Sequence, residues 1–177
     1  MKIRDAQKAG RAKNAILSFL EQRLSIPKIY IDADWDGHHV DVLAINREGV
    51  GDVHVVLLYE RGYFDNGLLD VESEFSVTDQ LLAELSAIPA QFKYIGVIEP
   101  AALWNQRLGP PQIYGESRDK LLAPDGLGRV GLLQISINFE EPPSVMMSLA
   151  PERFRAKIAK LAGEFLEQHE ADWEIRA

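Results

Sequence analysis

The sequence contains no cysteine, and this absence excludes several kinds of site. Disulfides, thiolate nucleophiles and cysteine-ligated zinc centres all require thiol groups. The sequence also lacks an apolar run of about 20 residues, the length that a membrane-spanning helix needs. The N-terminus, Met-Lys-Ile-Arg-Asp, does not begin the apolar core of a signal peptide. We therefore expect a cytoplasmic protein that has no membrane partner.

Positive charge is scarce outside the N-terminal region. The net charge is −8, with a sum of +5 over residues 2–28 and −12 over residues 29–150. An acidic body repels polyanions, which argues against tight non-specific binding of nucleic acid. Arg4, Lys8 and Arg11 share one face of the first predicted helix. These three residues are the candidates for binding nucleic-acid phosphates.

The length and the hydrophobic pattern predict one domain, with strands between helices. The 177 residues are 46% hydrophobic and suit a single domain over residues 1–177. Asp36-Gly37 is a two-residue hairpin signal. A short helix is predicted near 101–106. Residues 107–128 are predicted to be irregular, with a short helix near 116–122. Periodicity predicts helices over 4–24, 78–88 and 151–170, and strands over 29–36, 38–46, 53–60, 92–98 and 129–137.

This order of elements predicts an α/β fold. A helix between the third and fourth strands allows those strands to lie parallel. The expected architecture is a mixed β-sheet, made of a three-strand meander plus two further strands and flanked by helices. A β-rich α+β fold is the alternative.

The predicted hairpin carries the densest group of ionisable side chains. Alternation places Asp32, Asp34 and Asp36 on one face of the first strand, and His39 and Asp41 on one face of the second. Clustered carboxylates suit a divalent cation, and His together with Asp also suits zinc. The alternative is a solvated strand face beside a turn.

The third predicted strand ends at Glu60. If this strand pairs with the second, Glu60 approaches Asp41; otherwise it ends the strand in solvent. His54, near the start of the same strand, is predicted to be a structural residue. Sequence motifs of serine hydrolases, P-loop proteins, dinucleotide-binding folds and H-E-x-x-H zinc enzymes are absent.

The hairpin and the third strand resemble a known superfamily. The order of elements is similar to the core of the PD-(D/E)XK, or restriction-endonuclease-like, superfamily. This order is a helix, then a strand with Val-Asp-Val-Leu-Ala-Ile at 40–45, then a strand that ends in Leu-Leu-Tyr-Glu at 57–60. The later helix, the strand at 92–98 and the segment 126–135 fit the same order. The resemblance implies a Mg²⁺ site in which an aspartate and an E-x-K triplet hold the metal and activate water. Asp41 matches the aspartate, and Glu60 is the second candidate catalytic and metal-binding residue.

The E-x-K triplet departs from the family pattern in either alignment. On Leu-Tyr-Glu at 58–60, leucine replaces the acid and glutamate replaces the lysine. On Glu-Arg-Gly at 60–62, the acid remains but glycine replaces the lysine. Arg61 points to the opposite face and is too basic to accept a proton, so Lys93 on the fourth strand is the candidate replacement. Both alignments predict weak or absent hydrolysis.

Three functions therefore remain open. The first is a non-catalytic or weakly active PD-(D/E)XK-like protein, an accessory or binding protein of nucleic-acid metabolism. The second is a divergent Mg²⁺-dependent nuclease that uses Asp41 and Glu60. The third is a small α/β protein-interaction module, dimeric through a sheet edge or the terminal helix, with Val145-Met146-Met147 as a candidate contact patch.

Overall fold

The computed structural model describes residues 6–46, 52–60, 79–101, 104, 129–137 and 142–169. The three helices in these ranges are α1 (Ala6–Leu24), α2 (Asp79–Ala87) and α3 (Ala159–Gln168). The strands are β1 (Lys28–Trp35), β2 (His38–Ile45), β3 (Val53–Glu60), β4 (Phe92–Pro100), β5 (Gly131–Ile137) and β6 (Ser144–Leu149).

The strands form one mixed sheet in the order β1-β2-β3-β4-β5-β6. The first three strands are an antiparallel meander, and β3, β4 and β5 run parallel to one another. β6 pairs antiparallel with β5 at the edge. The predicted α/β class, with a mixed sheet flanked by helices, is confirmed.

β6 is a sixth strand that the sequence analysis did not predict. It contains the Val145-Met146-Met147 run, the candidate contact patch of the third hypothesis, for which burial is the alternative. Val145 and Met147 are half-buried and pack on the core beneath α1, while Met146 is 47% exposed. This alternation is the pattern of an edge strand with one covered face.

Helices cover both faces of the sheet. On one face, α1 buries Ala12, Ile16 and Leu20 against the strands. On the other, α2 and α3 contribute Leu85 and Phe165 to a second core. We call these the α1 face and the α2–α3 face. Because both faces are covered, β3 and β5 consist largely of apolar side chains.

The β1–β2 connection confirms the predicted hairpin. Asp36 and Gly37 have φ values of 52° and 77°, the positive pair that a type I′ turn requires. Asp34 Oδ1 accepts a hydrogen bond from Gly37 N–H at 3.1 Å, which holds the turn in place.

The last helix begins at Ala159, so the prediction of a helix over 151–170 is wrong for residues 151–158. Residues 151–158 are not helical, because parts of their backbone bond other elements. Glu152 N–H donates to the carbonyl of Arg129 at 2.9 Å, and Phe154 N–H donates to that of Gln91 at 2.7 Å. These bonds replace the local bonds of a helix.

The short helices predicted near 101–106 and 116–122 lie largely outside the described residues, as does the segment 107–128. Among the described helices, none has the combination of length and apolar character that crossing a membrane demands.

Candidate functional site

Asp32 interrupts the alternation of side chains along β1. Its φ of 53° is in the left-handed region, which Asp adopts more readily than most residues. As a result, Tyr30 and Ala33 both pack in the core on the α2–α3 face, although they are an odd number of residues apart. The Asp32 side chain reaches Lys13 on the α1 face instead.

β2 has a matching shift at Asp41. Val40 and Leu43 both pack on the α2–α3 face, while Val42 packs on the α1 face. Asp41 also points towards α1, where Lys13 lies. Since β1 and β2 shift at opposing positions, their pairing register is the same on either side of the shift.

The two shifts assemble a group of four ionisable side chains. Lys13 Nζ lies 2.6 Å from Asp32 Oδ1 and 3.7 Å from Asp41 Oδ1. His39 Nε2 lies 3.5 Å and 3.8 Å from the same two oxygens. One ligand atom from each of Asp32, His39 and Asp41 lies within 4.8 Å of the others, and the described residues contain no second group of this kind. We call Lys13, Asp32, His39 and Asp41 the Lys13 cluster.

The Lys13 cluster has a covered side and an open side. The exposed fraction of the side chain is 65% for His39 and 51% for Asp32, but 19% for Asp41 and 13% for Lys13. Solvent screens the outer ion pairs, so they contribute little to stability. The exposed side chains of His39 and Asp32 can therefore rearrange at low cost, while the less exposed side chains of Lys13 and Asp41 are held in place.

Asp41 also supports the sheet. Its Oδ2 accepts the backbone N–H of Leu58 at 2.7 Å. The pairing of β2 with β3 ends at Val42 and Val56. The Asp41 carboxylate therefore accepts a backbone N–H that lies beyond the last paired residues. A carboxylate bound to a lysine and to a backbone amide already has a structural role.

Glu60 is not a member of the Lys13 cluster. Its Oε1 lies 2.5 Å from Lys8 Nζ, and the two side chains are 14% and 17% exposed. The carboxylate predicted to share a metal with Asp41 thus forms an ion pair with a residue predicted to bind phosphate. Arg11 is half-buried on α1, and Arg4 lies outside the described residues.

Lys93 lies on the other side of the sheet. Its Nζ donates to the carbonyl of Leu85 at 2.7 Å and lies 4.8 Å from the centroid of the Phe154 ring. Burial lowers the pKa of this amine to about 8. Because its contacts are on the α2–α3 face, Lys93 does not complete a site with Asp41.

The donors of the Lys13 cluster suit zinc better than magnesium. Mg²⁺ prefers oxygen ligands in an octahedral arrangement, whereas imidazole is a common ligand of Zn²⁺. Asp32 and Asp41 supply carboxylates, and His39 supplies an imidazole. The ammonium of Lys13 competes with any cation for these oxygens, so a metal must displace it.

Sequence reasoning found the hairpin but not the partnership of Asp32 with Lys13. Strict alternation grouped Asp32 with its neighbouring acids and did not anticipate its positive φ. A usable signal was present in α1: Lys13 is four residues after Ala9 and three before Ile16, beside the apolar stripe. A lysine at that position is directed towards the sheet, where acidic strand residues can meet it.

Comparisons with models of protein families and with curated proteins give no match to this chain.

Proposed function

We propose that this chain is a non-catalytic binding protein with a restriction-endonuclease-like arrangement, in which lysines replace the metal. It would act as an accessory protein of nucleic-acid metabolism. A cytoplasmic location belongs to the same proposal. The order of a helix, a three-strand meander, a helix and a parallel strand supports the resemblance on which this proposal rests.

The observation that carries the proposal is the position of Lys13. Metal-assisted hydrolysis needs carboxylates that are available to a cation. The ammonium of Lys13 instead lies 2.6 Å from Asp32 and 3.7 Å from Asp41. Glu60 is engaged by Lys8 at 2.5 Å. Each carboxylate near the family's metal position is therefore neutralised by a lysine or shared with one.

The third strand supports the same conclusion. In the alignment on 58–60, the position of the acid is Leu58, whose side chain is 5% exposed and packs in the core on the α1 face. An apolar side chain cannot bind a metal there. In the other alignment the lysine position falls on Gly62, outside the described residues.

Binding of nucleic acid through α1 is the second part of the proposal, and it rests on the resemblance and on the basic residues of that helix. Lys8 is committed to Glu60, so the surface is weaker than its sequence suggests. We expect low affinity that falls further as the salt concentration rises.

A cleavage assay tests the absence of catalysis. Purified protein is incubated with single- and double-stranded DNA and RNA in Mg²⁺, Mn²⁺ or Zn²⁺, and we expect no cleavage above the buffer blank. Asp41→Asn is compared with Asp34→Asn, an acid of the same hairpin outside the Lys13 cluster. Cleavage that disappears in Asp41→Asn and persists in Asp34→Asn contradicts the proposal.

Fluorescence anisotropy tests the nucleic-acid partner at low ionic strength. We expect Arg11→Ala combined with Arg4→Ala to weaken binding. The matched control is Lys160→Ala on α3, whose side chain is 92% exposed. Equal binding by the double variant and the wild type would remove α1 as the contact surface.

A metal-dependent nuclease is the second candidate, and the 4.8 Å grouping of Asp32, His39 and Asp41 favours it. On this hypothesis Asp32, His39 and Asp41 would hold a cation in place of the Lys13 ammonium, and the cation would polarise the phosphate and activate water. A metal that binds only the native state stabilises it by about 2.7 kcal/mol when the metal concentration is about a hundred times Kd, and this raises the melting temperature. We expect the rise in melting temperature to disappear in His39→Gln. A wild-type melting temperature that does not change with metal argues against this candidate.

A further inference from the structure

A pocket of 370 Å³ lies on the α1 face, away from the Lys13 cluster. His54 lines it near the start of β3, four residues before Leu58, or about 13 Å along the strand. Its volume is at the lower end of the range of about 300–1,000 Å³ in which proteins hold small molecules. The pocket is therefore a separate candidate site.

His54 is buried, with 7% of its surface exposed. Its ring stacks on Phe92, with centroids 4.6 Å apart and planes 18° apart. Its Nδ1 lies 3.0 Å from the hydroxyl of Tyr94. These contacts fix both the plane and the direction of the imidazole.

The second ring nitrogen of His54 has no hydrogen-bond partner within the described part of the chain. Buried polar atoms nearly always have a partner, because an unmade hydrogen bond is costly in a low-dielectric site. If the Tyr94 hydroxyl donates to Nδ1, then Nε2 carries a proton and needs an acceptor. If Nδ1 donates to the hydroxyl, then Nε2 needs a donor.

The lining indicates the chemistry of the ligand. Most of it is apolar, and the acidic group, Asp52, forms an ion pair with Arg153 at 2.7 Å. Desolvation lowers the pKa of His54 to about 4, so the imidazole is neutral at physiological pH. Among the described residues of the lining there is thus no cation to hold an anion. The apolar and aromatic side chains around the pocket are Leu24, Ile26, Phe92, Tyr94, Met147, Ala150 and Pro151.

We propose that this pocket binds a small, neutral aromatic molecule that carries one hydrogen-bonding group directed at His54 Nε2. The ring of the ligand takes up the apolar volume, and its polar group completes the hydrogen bonding of the imidazole. This site is independent of any activity of the Lys13 cluster.

Phenol is the probe, because its hydroxyl can donate or accept and so suits either tautomer of His54. Toluene has a similar shape and lacks that hydroxyl. We expect phenol to bind with a Kd of about 1 mM or tighter, and about tenfold more tightly than toluene, by ligand titration followed with NMR. The ¹⁵N resonance of His54 Nε2 should shift with phenol and not with toluene.

His54→Phe keeps an aromatic ring and removes the nitrogen, so the preference for phenol should disappear. His39→Gln, in the Lys13 cluster, is the matched control and should retain it. Absence of phenol binding, equal binding of phenol and toluene, or an unmoved Nε2 resonance overturns the proposal. All three of these outcomes are measured on the wild-type protein, so the test stands even if His54→Phe fails to fold.

Discussion

Protonation of His54 should make the protein sensitive to mild acid. Burial lowers the pKa of this imidazole from 6.5 to about 4, and it outweighs the charge of Asp52, which acts in the opposite direction. The unfolded chain therefore binds a proton more readily than the folded one between these two pH values. Stability contributed by neutral His54 is complete above the unfolded pKa and decreases as the pH falls towards 4.

The size of the effect follows from the two pKa values. A shift from 6.5 to about 4 corresponds to a loss of about 2 kcal/mol at pH 5 and about 3 kcal/mol at pH 4. Such a loss is a large part of the stability of an ordinary domain, which is about 5–15 kcal/mol.

Urea denaturation at about pH 7.5 and pH 5 measures this change in the wild type and in His54→Phe. Other groups titrate in both proteins, so the difference between the two losses isolates His54. We expect the wild type to lose about 2 kcal/mol more than the variant. Equal losses would show that His54 is not held neutral by burial, and would refute the reasoning.

Three further substitutions test other parts of the structure by denaturation in urea. Gly96→Ala should cost about 1–3 kcal/mol, because a Cβ there would lie 2.5 Å from Leu58 Cδ2 in a packed core, and an unchanged midpoint would contradict that packing. Asp41→Ala should cost about 1–3 kcal/mol through the unpaired N–H of Leu58, while Asp41→Asn, which keeps an acceptor, should cost less. Burial of Lys93 lowers its pKa from 10.5 to about 8. The free energy of unfolding of the wild type should therefore rise by up to about 3 kcal/mol relative to that of Lys93→Met between pH 8 and pH 10.5. A difference between the two proteins that does not change with pH would contradict this.

The sequence predicted those parts of the fold that local patterns determine. Asp36-Gly37 is a turn signal because few other residue pairs adopt two positive φ values, and the structure has that turn. A nearly all-apolar strand such as the third is typical of the centre of a sheet, and β3 lies between two strands.

Parts that depend on distant contacts were not predictable from local patterns. The segment before α3 has helical periodicity, yet Phe154 bonds Gln91 across the chain. β6 is too short and too close to Pro142 and Pro143 for its alternation to stand out. In each case a tertiary contact overrides the local preference.

The candidate site was predictable only in part. Asp41 was singled out correctly as a member of a charged group, but its neighbours are Lys13 and Asp32 rather than Glu60. A positive φ at a non-glycine residue leaves no mark in a hydrophobic pattern. The roles of Asp41 and Glu60 in catalysis and metal binding stay predictions.

The opposing shifts at Asp32 and Asp41 have a consequence for sequence evolution. A shift in one strand alone would turn the remaining side chains of that strand to the opposite face from those of its partner. Because both strands shift at opposing positions, their side chains stay on matching faces. A substitution that restores ordinary alternation at one position should therefore be harmful unless the other changes too. Within any set of relatives, the two positions should be inherited as a pair, and this epistasis should be visible in a double-mutant cycle.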